Sequence, residues 1–191
     1  MNIRCLRAAC TLLLTVFLAA PASLASQSPA ATSTTTVIVV RHAEKATDDP
    51  RDRSLNSAGQ LRAHLLAGAL ENAGVTALYV TQYKRTRATA EPLASRLKLV
   101  PVERSVASGS ADDHARDLAR EILFRHRGGT VVVVGHSNTV PAIVEAMSGR
   151  KVVPITEAEY DHIFIVIVPP GGSARLLKAR YGEASVLVPS G

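Results

Sequence analysis

The chain has almost no cysteine. Of its 191 residues two are Cys, Cys5 and Cys10, and both fall in an N-terminal stretch that reads as a removable leader. The remainder can then form no disulfide, which suits an oxidising compartment without saying which one. Aromatic residues make up only 4%, and no basic stretch is studded with them, so the stacking platform of a single-strand nucleic-acid binder is missing and no nucleic-acid partner is expected. No zinc or calcium spacing occurs among the His, Cys, Asp and Glu residues. A Gly-rich phosphate loop and a GxSxG elbow are also absent. No metal and no cofactor are therefore expected.

The N-terminus is built differently from the rest. Arg4 and Arg7 precede an apolar stretch from Ala8 to Ala20, then Pro21 and the small-residue pattern Ser23-Leu24-Ala25, the layout of a secretory signal cleaved after Ala25. The apolar run is too short for a permanent span. Cys10 precedes that run instead of following it, so it does not read as a lipid attachment site. The reading is a signal peptide over 1–25 and a periplasmic or secreted product, the alternative being a leader kept as an anchor. Without Arg4 and Arg7, the 22 basic residues become 20 against 16 acidic ones. That surplus favours small anionic partners.

Residues 26–35, rich in Ser, Thr, Ala, Gln and Pro, have nothing to bury and read as a disordered lead-in. A single domain is expected over 36–191. Val37, Ile38, Val39 and Val40 are β-branched and apolar on both alternating faces, the pattern of a parallel strand covered on both sides. Residues 46–54 are charged around Pro50 and should form an exposed loop, a lid or a plain connection. Asn56 or Ser57 caps a helix to about Asn72 with the stripe Leu61, Leu65, Leu66, Ala69 and Leu70, ended by Gly74. A strand at 77–80, a helix at about 84–97, a short extended piece at 99–102, a helix at 111–127, a strand at 130–134 and a helix at 139–148 follow. Strands at 163–168 and 174–179, joined by Pro169-Pro170-Gly171-Gly172, read as a hairpin. The expectation is an α/β domain: a mostly parallel sheet with helices on both faces and an antiparallel hairpin at its edge.

Three strand ends carry polar residues that strands do not need: Arg41-His42, Thr81 with Arg85, and Gly135-His136-Ser137-Asn138. In open α/β sheets ligands bind at the carboxyl ends of the strands. Lys84, Arg85 and Arg87 also crowd a helix N-terminus, where positive charge is disfavoured by roughly 0.3–1 kcal/mol per group unless an anion is held there. Phosphate fits both free helix N–H groups and arginine forks. Arg85 is assigned to the site, Lys84 and Arg87 to solvent. His64, His114, His126 and His162 read as surface or half-buried.

With these motifs in this order, the sequence resembles the histidine phosphatase superfamily, in its phosphoglycerate mutase-like branch. The resemblance rests on Arg41-His42, on Leu55-Asn56-Ser57-Ala58-Gly59, on Arg85-Thr86-Arg87-Ala88-Thr89-Ala90 and on Gly135-His136-Ser137, and it runs from Thr36 to about Arg180. It implies that His42 is the nucleophile that accepts a phosphoryl group, and that Arg41, Arg85 and His136 hold the phosphate. Asn138, Thr81 and Glu44 are further candidates for substrate contact. Cationic arginines should depress the pKa of His42 and keep it nucleophilic.

Two departures bear on mechanism. Ala43 stands where the family more often has glycine. The glutamate that protonates the leaving group in this branch has no counterpart, because 107–110 holds no carboxylate, and Ser137 replaces the aspartate of the acid-phosphatase branch. Asp112 and Asp113 are the nearest substitute acids, with Glu103 behind them. The expectation is an exported, metal-independent phosphatase acting on a small phosphorylated substrate. The alternatives are a phosphohistidine protein phosphatase, whose substrate needs no acid, and a non-catalytic phosphate-binding module.

Overall fold

The computed structural model describes residues 33–106 and 110–185. The leader, most of the lead-in and residues 107–109 lie outside the described residues. The elements in order are β1 (Thr35–Arg41), α1 (Ser57–Leu70), β2 (Val75–Val80), α2 (Lys84–Leu97), β3 (Val102–Glu103), α3 (Ala111–Arg125), β4 (Thr130–Gly135), α4 (Thr139–Ser148), β5 (His162–Val168) and β6 (Arg175–Arg180). They form one sheet in the order β3-β2-β4-β1-β5-β6. The first four strands of that order are parallel, and β5 and β6 complete the sheet antiparallel. This is the expected α/β architecture with its C-terminal hairpin.

The unbroken apolar runs of β1 and β4 follow from their central place, because both faces of each are covered. Val37, Val39, Val131 and Val133 face α3 and α4, packing with Leu118, Ile122, Ile143 and Val144. Ile38, Val40, Val132 and Val134 face α1 and α2, against Leu66, Leu70, Leu93 and Ala94. The register pairs Arg41 with Gly135, so the residue after each strand, His42 and His136, leaves the sheet side by side. The amide of His42 continues the ladder by donating to the carbonyl of Gly135 at 2.9 Å.

The expected stripe of α1 is only partly the buried one. Asn56 caps the helix as expected, accepting from the Gly59 amide at 2.9 Å. The buried face, however, runs through Gly59, Arg62, Ala63, Leu66, Ala67 and Leu70, while Leu61 and Leu65 are 53% and 40% exposed. Two constraints turn the helix. The small residues let α1 approach its neighbours closely, and Arg62 must point inward to reach Glu44. Hydrophobicity alone ranks leucine above both.

The close approach is tightest at Gly59, where an added Cβ would press into the Glu44 backbone, 2.9 Å from its nitrogen. Gly68 on the same helix has nothing within 4 Å of such a Cβ. Gly59→Ala is expected to destabilise the fold by about 1–3 kcal/mol, as overpacking against backbone does. Gly68→Ala is expected to stabilise it by roughly 0.5–1 kcal/mol through helix propensity. Urea unfolding of the two variants checks the opposite signs.

Candidate active site

His42 is 3% exposed and sits at the end of β1. Its Nδ1 lies 2.8 Å from the carbonyl oxygen of Ala43. A carbonyl only accepts, so Nδ1 carries the proton and Nε2 is left with its lone pair. The carbonyl is itself held in place, since the Ala43 amide donates to Thr89 Oγ1 at 2.9 Å and the Thr89 hydroxyl donates to the Arg85 carbonyl on α2. The third motif of the sequence thus fixes the tautomer of the first.

His136, 8% exposed, follows β4 with its ring centre 5.3 Å from that of His42. Gly135 before it is required by space, because a Cβ there would come 2.8 Å from Thr139 Oγ1, which accepts the His136 amide. The ring's hydrogen bonds define its tautomer from both sides. Arg85 Nη2 can only donate, and it faces Nδ1 at 3.4 Å, so Nδ1 holds a lone pair. Nε2 then carries the proton and donates to Thr81 Oγ1 at 3.0 Å. The chain continues from the Thr81 hydroxyl to Thr86 Oγ1 at 3.0 Å and from the Thr86 hydroxyl to the Tyr83 carbonyl at 2.9 Å.

Arg41 is 1% exposed, a cation at the centre of the fold. Its Nη1 donates to the carbonyls of Thr156 and Glu159 at 2.7 and 2.9 Å, its Nη2 to Glu157 Oε2 at 3.0 Å. Its guanidinium lies over the Tyr160 ring at 4.2 Å, and Arg85 lies over Tyr83 at the same distance. The Nε atoms of both arginines are buried without a hydrogen-bond partner among the described residues. Such groups are costly unless something accepts from them.

Glu157 reaches the rim of the site. Its Oε2 takes Arg41 and Lys45, the latter at 2.7 Å, and its Oε1 accepts from Ser137 at 2.7 Å. Those hydrogen bonds from Lys45 and Ser137, with the Arg41 charge, hold its pKa down at about 2. Burial depresses the pKa of His42 to about 3, with smaller contributions from the charges of His136, Arg41 and Arg85. His136 is lowered to about 4, again chiefly by burial, then by Arg85 and Arg41. Arginine charge was the cause expected from the sequence; loss of water is the larger one.

The proton-donor candidates lie elsewhere. Asp113 accepts from the Ser110 hydroxyl and pairs with Arg116 at the start of α3, which lowers its pKa. Asp112 lines a cavity of about 340 Å³ between α3 and α4 with Arg116, Glu145 and Lys151. Glu103 pairs with Arg87 at 2.6 Å on the exposed side of α2, so Arg87 is not simply solvated. None of the three is hydrogen-bonded to His42, His136, Arg41 or Arg85 among the described residues. Glu44 is engaged by Arg62 through Nε and Nη2 at 2.9 and 2.7 Å. Thr81 is buried behind His136, and Asn138 is exposed at the start of α4 without a side-chain cap bond. The first amide of α2, at Lys84, donates to Asp52 Oδ1 at 2.9 Å. The anion expected at that helix end is therefore a carboxylate from the loop at 46–54, and Arg85 joins the site by its side chain.

Tyr83, Tyr160 and Glu157 are site residues that sequence reasoning missed. Tyr83 was adjacent to an assigned motif, and tyrosine is scarce, with four in the chain. Tyr160 and Glu157 come from the irregular segment before β5, which has no period to read.

Residues 37–106 match the family model of the histidine phosphatase superfamily (branch 1). No significant sequence match was found among curated proteins. The fold is similar to that of the protein histidine phosphatase SixA complexed with tungstate, at TM-score 0.60 and 19% identity over 76% of this chain and 96% of that one. It is similar to mycobacterial glucosyl-3-phosphoglycerate phosphatase, at TM-score 0.58 and 14% identity over 75% and 97%. Bacillus stearothermophilus YhfR gives TM-score 0.59 and 19% identity over 74% and 95%. The resemblance read from the motifs holds, by sequence over 37–106 and by fold over the domain.

Two buried neutral histidines make stability depend on pH. Unfolded histidine takes a proton near pH 6.5, whereas folded His42 and His136 do so only near 3 and 4. Between those limits the unfolded chain binds more protons, so stability falls as pH falls, by up to about 1.4 kcal/mol per pH unit for each group. Urea unfolding from pH 7 to 4.5 should show this slope, and His136→Asn should remove one group's share of it.

Proposed function

We propose that this chain, which has the fold of the histidine phosphatases and their sequence pattern over residues 37–106, is a phosphatase that works through a phosphohistidine on His42. The observation that carries the reading is the 2.8 Å contact of His42 Nδ1 with the Ala43 carbonyl, which assigns the proton to Nδ1 and leaves Nε2 as the lone-pair nitrogen, with the His136 ring centre 5.3 Å away. A rigid strand end positions that lone pair for in-line attack, and the buried setting keeps it available across the physiological range. Arg41 and Arg85 offer their unpartnered Nε groups to the phosphoryl oxygens, and His136 completes the cradle. Phosphoryl transfer depends mainly on positioning and on charge stabilisation, and the two guanidiniums supply the charge without a metal. Attack forms an Nε2–P bond and expels the leaving oxygen; water then releases phosphate.

The substrate class is a small phosphorylated molecule, reached from an exported position that the leader layout of residues 1–25 supports. Phosphohistidine protein is the second reading. It draws on the placement of Asp112, Asp113 and Glu103 away from the histidines, since an imidazole leaving group needs no strong acid, and on the likeness to SixA, which is named a protein histidine phosphatase.

Rapid quench of the purified chain with a labelled phosphoester, EDTA present, is expected to trap a phosphoprotein labile in acid and stable in base. His42→Ala should abolish label and turnover while keeping the fold. A chain that binds phosphate yet never labels or turns over, with phosphoesters, phosphohistidine or acyl phosphates, is a binding module instead.

A further inference from the structure

Transfer of a phosphoryl group from an ester to His42 leaves a basic oxygen that requires a proton, and the carboxylates expected from the sequence to give one are in other contacts. Asp113 is tied to Ser110 and Arg116, Glu103 to Arg87, and Asp112 faces the cavity between α3 and α4. Glu157 does reach the site, but Lys45, Ser137 and Arg41 all stabilise its ionised form. A carboxylate bound by three donors has no proton to lend.

From the hydrogen-bond geometry around the second histidine we propose that His136 is the general acid, delivering the proton from Nδ1, with Thr81 and Thr86 as positioning residues that dictate which nitrogen faces the substrate. The proposal rests on the phosphatase reading above and adds the source of the proton to it. The chain His136 Nε2–H to Thr81 to Thr86 to the Tyr83 carbonyl has one direction only, because it ends on a carbonyl and every hydroxyl in it has a single proton to donate. Nε2 is therefore committed. Nδ1 is the free base, and its present neighbour, Arg85 Nη2 at 3.4 Å, is a long contact that a phosphate oxygen would outcompete for the guanidinium.

The groups facing this imidazole set when it holds a proton. Arg85 from α2 and Arg41 from β1 oppose its charge, His42 adds a second ring, and His114 on α3 lowers its pKa, while Glu157 raises it. Tyr83 stacks edge-on at 5.3 Å. Before substrate binds His136 is neutral, so the proton arrives with the substrate. A phosphate monoester, with its second ionisation near pH 6, enters as the monoanion and passes its proton to Nδ1, the new phosphate charge offsetting that of the arginines. The His42 Nε2 lone pair then forms a bond to phosphorus as the P–O ester bond breaks. The electron pair leaves with the ester oxygen, which takes the proton from Nδ1 and departs as the alcohol. In the second step water attacks phosphorus, its proton goes to Nδ1 and on to the phosphate, and the N–P electron pair returns to Nε2. Ester and water become alcohol and dihydrogen phosphate, and both histidines are restored.

Aryl phosphates of graded leaving-group pKa test the assignment, using kcat/KM of wild type, His136→Asn, Thr81→Val and Thr81→Ser. For an acid, which contributes about 10²–10⁴-fold, the loss in His136→Asn should grow from under about tenfold on the most activated ester to about 100-fold or more on phenyl phosphate. Thr81→Val should lower kcat on poor leaving groups with little change in KM, and Thr81→Ser should restore it. A loss that is equal across the series means that His136 only holds the phosphate, and overturns the proposal while leaving the phosphatase intact. If His136→Asn fails to fold, the Thr81 pair decides alone, and a Thr81→Val defect independent of leaving group overturns the assignment. A wild type that turns over phosphohistidine but no ester would overturn the proposal and leave the phosphatase reading in its second form, whereas one that turns over neither would sink both.

Discussion

Two imidazoles with ring centres 5.3 Å apart share one crevice with two guanidinium groups, and that concentration of potential charge is tolerable only if both rings stay neutral. Neutrality forces a choice of tautomer on each, and the surrounding structure makes opposite choices. His42 keeps its proton on Nδ1 through the Ala43 carbonyl, and His136 keeps its proton on Nε2 through Thr81. Each choice traces to the sheet. Pairing of Arg41 with Gly135 in adjacent parallel strands delivers the two histidines together, and Thr81 at the end of β2, with Thr86, Thr89 and Arg85 of α2, fixes their orientation.

The buried Arg41 extends the same logic to the chain's far end. A guanidinium at 1% exposure needs acceptors, and the segment before β5 provides two carbonyls, one carboxylate and the face of Tyr160. Satisfying the cation therefore folds residues 156–160 over the site. Burial of a charge is costly unless it is paired, so this wrap is part of the site's stability as well as its shape. The Nε left over on Arg41, like that on Arg85, is the unsatisfied remainder, and a bound phosphoryl group is what would complete it.

Most of this was legible where the sequence has a period or a motif. The β-branched runs of β1 and β4 gave away their central position, and the polar residues directly after them gave away the crevice. Arg85 was legible because positive charge at a helix start asks for an explanation, although the anion at the backbone of that helix end proved to be Asp52. Partners brought together across more than 100 positions were not legible. Glu157 and Tyr160 reach Arg41 from a segment without regular structure, and nothing local marks them. The buried face of α1 was misjudged for a related reason: leucines declare themselves by hydropathy, whereas Gly59, Ala63 and an inward Arg62 are buried because of what lies opposite.

The opposite tautomers of the two histidines are the claim on which nucleophile and acid both depend, and ¹⁵N NMR of histidine-labelled protein at pH 7 reads them directly. The account predicts a protonated Nδ1 and a lone-pair Nε2 for His42, and the reverse for His136, with Thr81→Val disturbing only the latter. A protonated Nε2 on His42, or an imidazolium at either position, would contradict it.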